Sequence, residues 1–283
     1  MEEIISQVEK KWLHLLYRTI SIEFTDVPVP SHDHTHHLRA WIFAKELVIA
    51  LYKSGISFTY SEIEGLIVAV FFHDVGLTRT LKPAHGYESR KICKDFFIRN
   101  PSLRIDNANE VLDAIEMHDD KTYVSGPRNK VSIIHTLLSI SDDLDAYGAI
   151  GVYRYLEIYL LRGENLYEIP AKVINNLDSR FKFFEVKFGN LKEYVLSQLQ
   201  RKQITQNFYY SLLEDIKKGG GESSEKGAIY ITNLLIDHFI IPKINILELL
   251  KMKFMVKTSD PFVNAFFNLL SDELQKLSKE ITT

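Results

Sequence analysis

From Gly65 to Phe72 eight apolar residues follow one another without interruption, and His73-Asp74 stands directly after them. A run of this kind is buried on all sides, so two polar side chains emerge at the end of a buried element, where an unpaired charge is costly. A bound metal ion would satisfy both. A histidine bonded to a carbonyl of the last helical turn would satisfy one of them without a metal, and the dipeptide alone does not choose. The run is far shorter than the roughly 20 residues that cross a bilayer, which predicts that the chain has no membrane span.

Most of the 283 residues fall into segments of helical length and period, whereas alternating β-branched residues and Asn-Gly or Asp-Gly turns are nearly absent. The expected fold class is all-α. Helices are predicted over about Glu2 to Glu23, stopped by Val27-Pro28-Val29-Pro30, and over about His34 to Lys53, stopped by Ser54-Gly55. The next starts at Ser61 and carries the apolar run into His73-Asp74, after which Gly76 lets the chain turn. Further helices are predicted over about His85 to Ile98, Ile105 to His118, Asn129 to Ala146 and Ile150 to Leu161. Near Arg162-Gly163 the histidines stop, apart from His238, and Lys, Asn and Gln become frequent. This shift predicts a first domain over 1–162 and a helical extension over 163–283, broken by the loop-like stretch from Lys217 to Ser224.

The net charge of -3 and a pI near 6.4 argue against a surface dedicated to nucleic acid, which needs a strongly basic face. A single cysteine, Cys93, excludes an intramolecular disulfide framework, and the N-terminal stretch is acidic and amphipathic rather than basic and then apolar. The expected compartment is the cytoplasm.

Five separated segments contribute possible metal ligands in order: His36, His73-Asp74, His85, His118 and Asp142. Imidazole and carboxylate without thiolate suit a divalent transition metal such as Mn, Fe, Co, Ni or Zn. His36 shares a helical face with Ala40, Phe43 and Leu47, and His37 with Trp41, Ala44 and Val48, so periodicity does not choose between them. Arg39 joins a more polar stripe with Glu46 and Lys53, and His32 and His34 read as a solvated loop leading into the helix. Asp142 follows Leu138 by four and His135 by seven on a buried stripe, which makes it a ligand candidate; Asp145 extends that face by three. Asp143 and Asp145 are expected to stand behind the ligands or to face water. An anionic substrate needs cations, and Arg79 and Lys82 after His73-Asp74, with Lys121 and Arg128 after His118, are the substrate-binding candidates.

Taken in order, these elements resemble the HD-domain superfamily of metal-dependent phosphohydrolases, whose pattern is H…HD…H…H…D with the last two histidines variable. His36-His37-Leu38-Arg39-Ala40 is similar to the family's H-x-x-R-V helix, which selects His36; His73-Asp74-Val75-Gly76 matches the eponymous dipeptide, and Asp142-Asp143-Leu144-Asp145 the final aspartate with its x-L-D. Ala146 to Arg154 looks like a small bacterial subgroup, and the resemblance covers about Val29 to Arg162. It implies a helical bundle with one metal ion held by His36, His73, Asp74 and Asp142. It also implies hydrolysis of a nucleotide or other small phosphate ester by an activated water, with Asp74 as base or metal bridge. His85 and His118 stand where family members hold a second metal or contact substrate phosphate. Leu77 replaces the lysine usual in the binuclear phosphodiesterase branch, and Ala40 the usual valine; one ion is therefore the favoured expectation, two the alternative. The competing readings are a di-iron oxygenase, as in myo-inositol oxygenase with its similar six-ligand scaffold, and a non-catalytic ligand-binding or scaffolding module.

Overall fold

Helical periodicity is realised throughout, with the ends set by local chemistry. The computed structural model describes residues 1–27, 29–82, 84–120, 132–219, 225–250 and 258–282; among them are eleven α-helices and no strand. In α1 (Glu2–Glu23) the residues Ile5, Val8, Trp12, Leu16 and Ile20 recur at three- and four-residue spacing and are all buried. α2 (His34–Lys53) starts where the Asp33 carboxylate accepts from the Thr35 main-chain N–H at 2.8 Å. α3 (Tyr60–Phe72) starts one residue before the expected Ser61, because Thr59 and Glu62 form a reciprocal capping box: Thr59 Oγ1 accepts from Glu62 N at 3.2 Å and Glu62 from Thr59 N at 2.8 Å. α4 spans His85–Arg99, α5 begins at Ala108 rather than near Ile105 and ends at Met117, and α6 spans Ile133–Asp145. Residues 129–131 of the predicted sixth helix lie outside the described residues.

The chain divides into two compact units. The first comprises Met1–Pro28, His32–Asp145 and Phe188–Tyr194. Its centre is α3, packed by α1, α2, α5 and α6, with every residue from Ile63 to Phe72 buried, as the apolar run requires. Glu64 is the charged residue on that buried stretch. It accepts from Trp12 Nε1 at 2.8 Å and from Lys11 Nζ at 2.6 Å, which fastens α1 to α3. α4 packs on α5 and on the short turn Val75–Thr78. Two glycines allow this approach: a Cβ on Gly76 would fall 2.0 Å from His85 O, and one on Gly86 would fall 2.5 Å from Glu116 O. Gly76 N also donates to Ser89 Oγ at 2.8 Å. The start of α4 is thereby held against the end of α3.

The second unit comprises Val29–Ser31, Ala146–Lys187 and Val195–Thr283. It holds α7 (Gly148–Leu161), most of α8 (Ile169–Phe188) and of α9 (Lys192–Lys217), α10 (Gly227–Leu235) and α11 (Pro261–Thr282). Glu273 of α11 caps α7 with both carboxylate oxygens, accepting from Ala149 N and Ile150 N at 2.9 Å each, where the helix leaves N–H groups without internal partners. α9 fastens the same helix through Thr205 Oγ1 to Gly148 O and Tyr209 Oη to Val152 O, both 2.8 Å. Among the described residues no helix is long and apolar enough to cross a membrane.

Candidate metal centre

Five helix ends of the first unit deliver the predicted residues to one place. His36 lies in the first turn of α2, His73-Asp74 at the end of α3, His85 at the start of α4, His118 at the end of α5 and Asp142 in the last turn of α6. All six side chains are buried. His36, His73, Asp74 and Asp142 form one group whose ligand atoms all lie within 4.8 Å of one another; Asp74, His85 and His118 form a second. Asp74 belongs to both. Its Oδ2 lies 3.5 Å from His36 Nε2 and from His73 Nε2, and its Oδ1 lies 3.2 Å from His85 Nε2 and 3.0 Å from His118 Nε2.

The hydrogen bonds of the four histidines fix which ring nitrogen faces the cluster. Each Nδ1 meets an acceptor: Asp145 Oδ2 at 2.8 Å from His36, Val70 O at 2.7 Å from His73, Lys82 O at 3.1 Å from His85, and Ile115 O at 2.7 Å from His118. Carbonyl and carboxylate oxygens only accept, so Nδ1 carries the proton and a neutral ring presents a bare Nε2. Those Nε2 atoms face one another, 3.1 Å apart between His36 and His73 and 3.4 Å between His85 and His118. Lone pairs pointed at lone pairs and carboxylates repel unless a cation lies among them. For His73 the carbonyl bond and the ligand role are therefore compatible, since each uses a different nitrogen.

Protons respond to the same field. Burial opposes charging His73, but Asp74 and Asp142 outweigh it and hold the imidazole above the usual histidine range. His85 is raised likewise, against burial, by Asp74 and by the charge of Asp119. Burial would raise the Asp74 carboxyl, yet His73, His118, His36 and His85 together hold it well below the usual carboxylate range. A metal ion would take the place of these protons. The spacing fits one: ligands 2.0–2.2 Å from a centre lie about 3.0 Å apart at octahedral and about 3.4 Å apart at tetrahedral angles. The Nε2–Nε2 and Nε2–carboxylate distances in the first group run from 3.1 to 3.7 Å. The buried cluster could hold a metal ion.

Comparison with family models finds that residues 34–150 match the HD domain. The chain carries an HD domain. No curated protein and no solved structure matches the chain. The HD-domain family includes metal-dependent phosphohydrolases, and the matched residues contain both groups of the cluster.

Within the HD domain the structure distinguishes neighbours that periodicity could not. His36 turns Nε2 into the cluster, whereas His37 packs against Phe24 and its Nε2 has no hydrogen-bond partner among the described residues. Burial, then the adjacent His73 and His36, push His37 well below the usual histidine range. One expectation about solvation is corrected. His32 is buried, its ring centroid 5.4 Å from that of His36. Arg39, placed by periodicity on a more polar stripe, is buried, and its Nε donates to Asp145 Oδ1 at 2.7 Å. Asp143 and Asp145 are buried, and Asp145 stands behind a ligand candidate as one of the two expected alternatives, accepting from His36 Nδ1 at 2.8 Å. The three-residue step from Asp142 to Asp145 was the signal that both share a face. Arg79 and Lys82 are exposed, and among the described residues neither belongs to the two groups of possible ligands. Lys121 and Arg128 lie outside the described residues.

Proposed function

We propose that the protein is a metal-dependent phosphohydrolase acting in the cytoplasm on a nucleotide or other small phosphate ester, with His36, His73, Asp74 and Asp142 holding the ion. One observation carries this reading: four Nε2 atoms whose partner nitrogens are all engaged converge on shared carboxylates in a buried site. A divalent ion bound there would supply Lewis-acid activation of water and of a phosphoryl oxygen. Asp74, kept anionic by the surrounding imidazoles, accepts a proton from the attacking water through Oδ1. His85, held above its usual range, offers an N–H to a phosphate oxygen, and His118 steadies the same charge from the opposite helix end. Arg79 and Lys82, exposed beside the turn that follows Asp74, attract the anion, with Lys121 and Arg128 assigned the same role.

The metal is Mn, Fe, Co, Ni or Zn, with one ion favoured. The four-residue group outnumbers the three-residue group that shares Asp74, so the first ion binds more tightly and any second one weakly. The test is elemental analysis of the purified protein followed by a screen of nucleotides, p-nitrophenyl phosphate and a p-nitrophenyl phosphodiester, with Asp74→Ala as the control. Metal-dependent release of phosphate or p-nitrophenol that is absent from Asp74→Ala supports the proposal; no release from any ester by metal-loaded protein leaves the non-catalytic reading standing. The two groups sharing Asp74 also favour a second reading, a paired-iron oxygenase. Iron near two per chain with oxygen-dependent turnover would select it.

A further inference from the structure

Three of the four cluster histidines hand their Nδ1 proton to main-chain carbonyls, Val70 O, Lys82 O and Ile115 O. His36 alone hands it to a side chain, Asp145. That carboxylate is itself gripped. Arg39 Nε donates to Asp145 Oδ1 at 2.7 Å, Arg39 Nη1 donates to Thr35 Oγ1 at 3.2 Å, and Thr35 Oγ1 donates to Asp33 Oδ1 at 2.7 Å. The series runs inside the first unit, with Asp33, Thr35, Arg39 and Asp145 all buried. Asp145 is not in either group of possible ligands.

We infer that Asp145, oriented by Arg39, is the positioning residue that keeps the His36 proton on Nδ1 and so leaves Nε2 bare toward the metal. The inference rests on the proposal that His36 is a ligand. A guanidinium only donates, so one Asp145 oxygen accepts from Arg39 while the other accepts from His36. The consequence is specific to chemistry rather than shape. In Asp145→Asn, which has the same outline, the amide oxygen must still face Arg39, and the amide N–H₂ is turned toward His36 Nδ1. His36 must then accept there and carry its proton on Nε2, the atom 3.1 Å from His73 Nε2 and 3.5 Å from Asp142 Oδ1. The lone pair meant for the ion is lost. Removing Arg39 as well, in Arg39→Met/Asp145→Asn, lets the amide turn its oxygen to His36, so the second substitution should undo part of the damage of the first.

Two measurements test this. Histidine ¹⁵N spectra of the metal-free protein near about pH 8, where an imidazole is mostly neutral, report the His36 tautomer directly, with His36→Gln providing the assignment. The expected result is Nδ1–H in the native protein and Nε2–H in Asp145→Asn. Competition titration of Zn²⁺ against a chromophoric chelator should show affinity about 10- to 100-fold weaker in Asp145→Asn, and partly recovered in Arg39→Met/Asp145→Asn. Native protein with its His36 proton on Nε2, or Asp145→Asn with undiminished Zn²⁺ affinity, overturns the inference. Should Asp145→Asn not fold, the native tautomer alone still decides. Native protein that shows Nδ1–H at His36 yet binds no Zn²⁺ overturns the metal-site proposal, a failure distinguishable from that of the tautomer.

Discussion

Asp74 turns its Oδ1 to His118 Nε2, 3.0 Å away, while its other oxygen faces His36 and His73. One carboxylate thus stands between two groups of imidazoles. That position follows from its place just beyond the end of α3, the helix that the rest of the first unit surrounds.

Asp74→Ala should therefore remove a ligand candidate from both groups, and His118→Ala from the three-residue one alone. Elemental analysis after extensive dialysis is expected to find about one ion per native chain, none in Asp74→Ala and an unchanged content in His118→Ala, since removal of one ligand of a buried site weakens it steeply. Nearly two ions per native chain, falling to one in His118→Ala, would sink the single-ion preference. Stoichiometric metal in Asp74→Ala would sink the site assignment.

His36 and His37 are adjacent and equally buried, yet only His36 faces the cluster. His36→Ala is expected to lower Zn²⁺ affinity by about 100-fold or more, with ordinary helix content. His37→Ala should keep its metal and lose about 2 kcal/mol of stability through the space left beside Phe24. Calorimetric titration and thermal melts separate the two effects, and the reverse order of metal affinities would place the ligand one residue later.

The pH dependence has opposite signs without and with metal. His73 and His85 are held above 6.5 in the folded protein, so their contribution to metal-free stability is complete below about pH 6.5 and is lost as pH rises through the raised values. Asp74 is held below 3.8, so its contribution is present above about that pH and is lost as pH falls through the lowered value. Metal must displace the histidine protons, and its affinity should rise with pH over the range just above 6.5. Melting curves of chelator-treated and Zn²⁺-loaded protein across pH 6–9 would show this as a falling and a rising midpoint; parallel curves would contradict it.

Gly76 carries a steric role that a side chain cannot share. Its Cβ would meet His85 O at 2.0 Å and Ser89 N at 2.6 Å, both backbone atoms at the start of α4. Gly76→Ala should displace that helix end, costing about 2 kcal/mol or more, and carry His85 away from Asp74 Oδ1. Ser89→Ala removes only the acceptor of Gly76 N and should cost about 1 kcal/mol. Denaturant melts of the pair test the ranking, and a Gly76→Ala protein as stable as the native one would refute the close approach.

What the sequence by itself determined was the set of helices and the order of the ligands. Period and capping chemistry are local, so His34–Lys53 was readable to the residue, and the apolar run ending at Phe72 already required a buried helix with two polar groups at its end. Only the tertiary structure decided how polar groups pair across distance. That Arg39 reaches Asp145 106 positions away, that His32 is covered, and that His36 rather than His37 joins the group of possible ligands depend on which helix packs on which. A stripe of polar residues on one helix carries no record of the carboxylate that another helix will bring to it, so Arg39 read only as a member of a more polar stripe. The same limit governs Asp74: its residue type and neighbours were legible, but the division of its two oxygens between two pairs of histidines exists only once five helix ends meet.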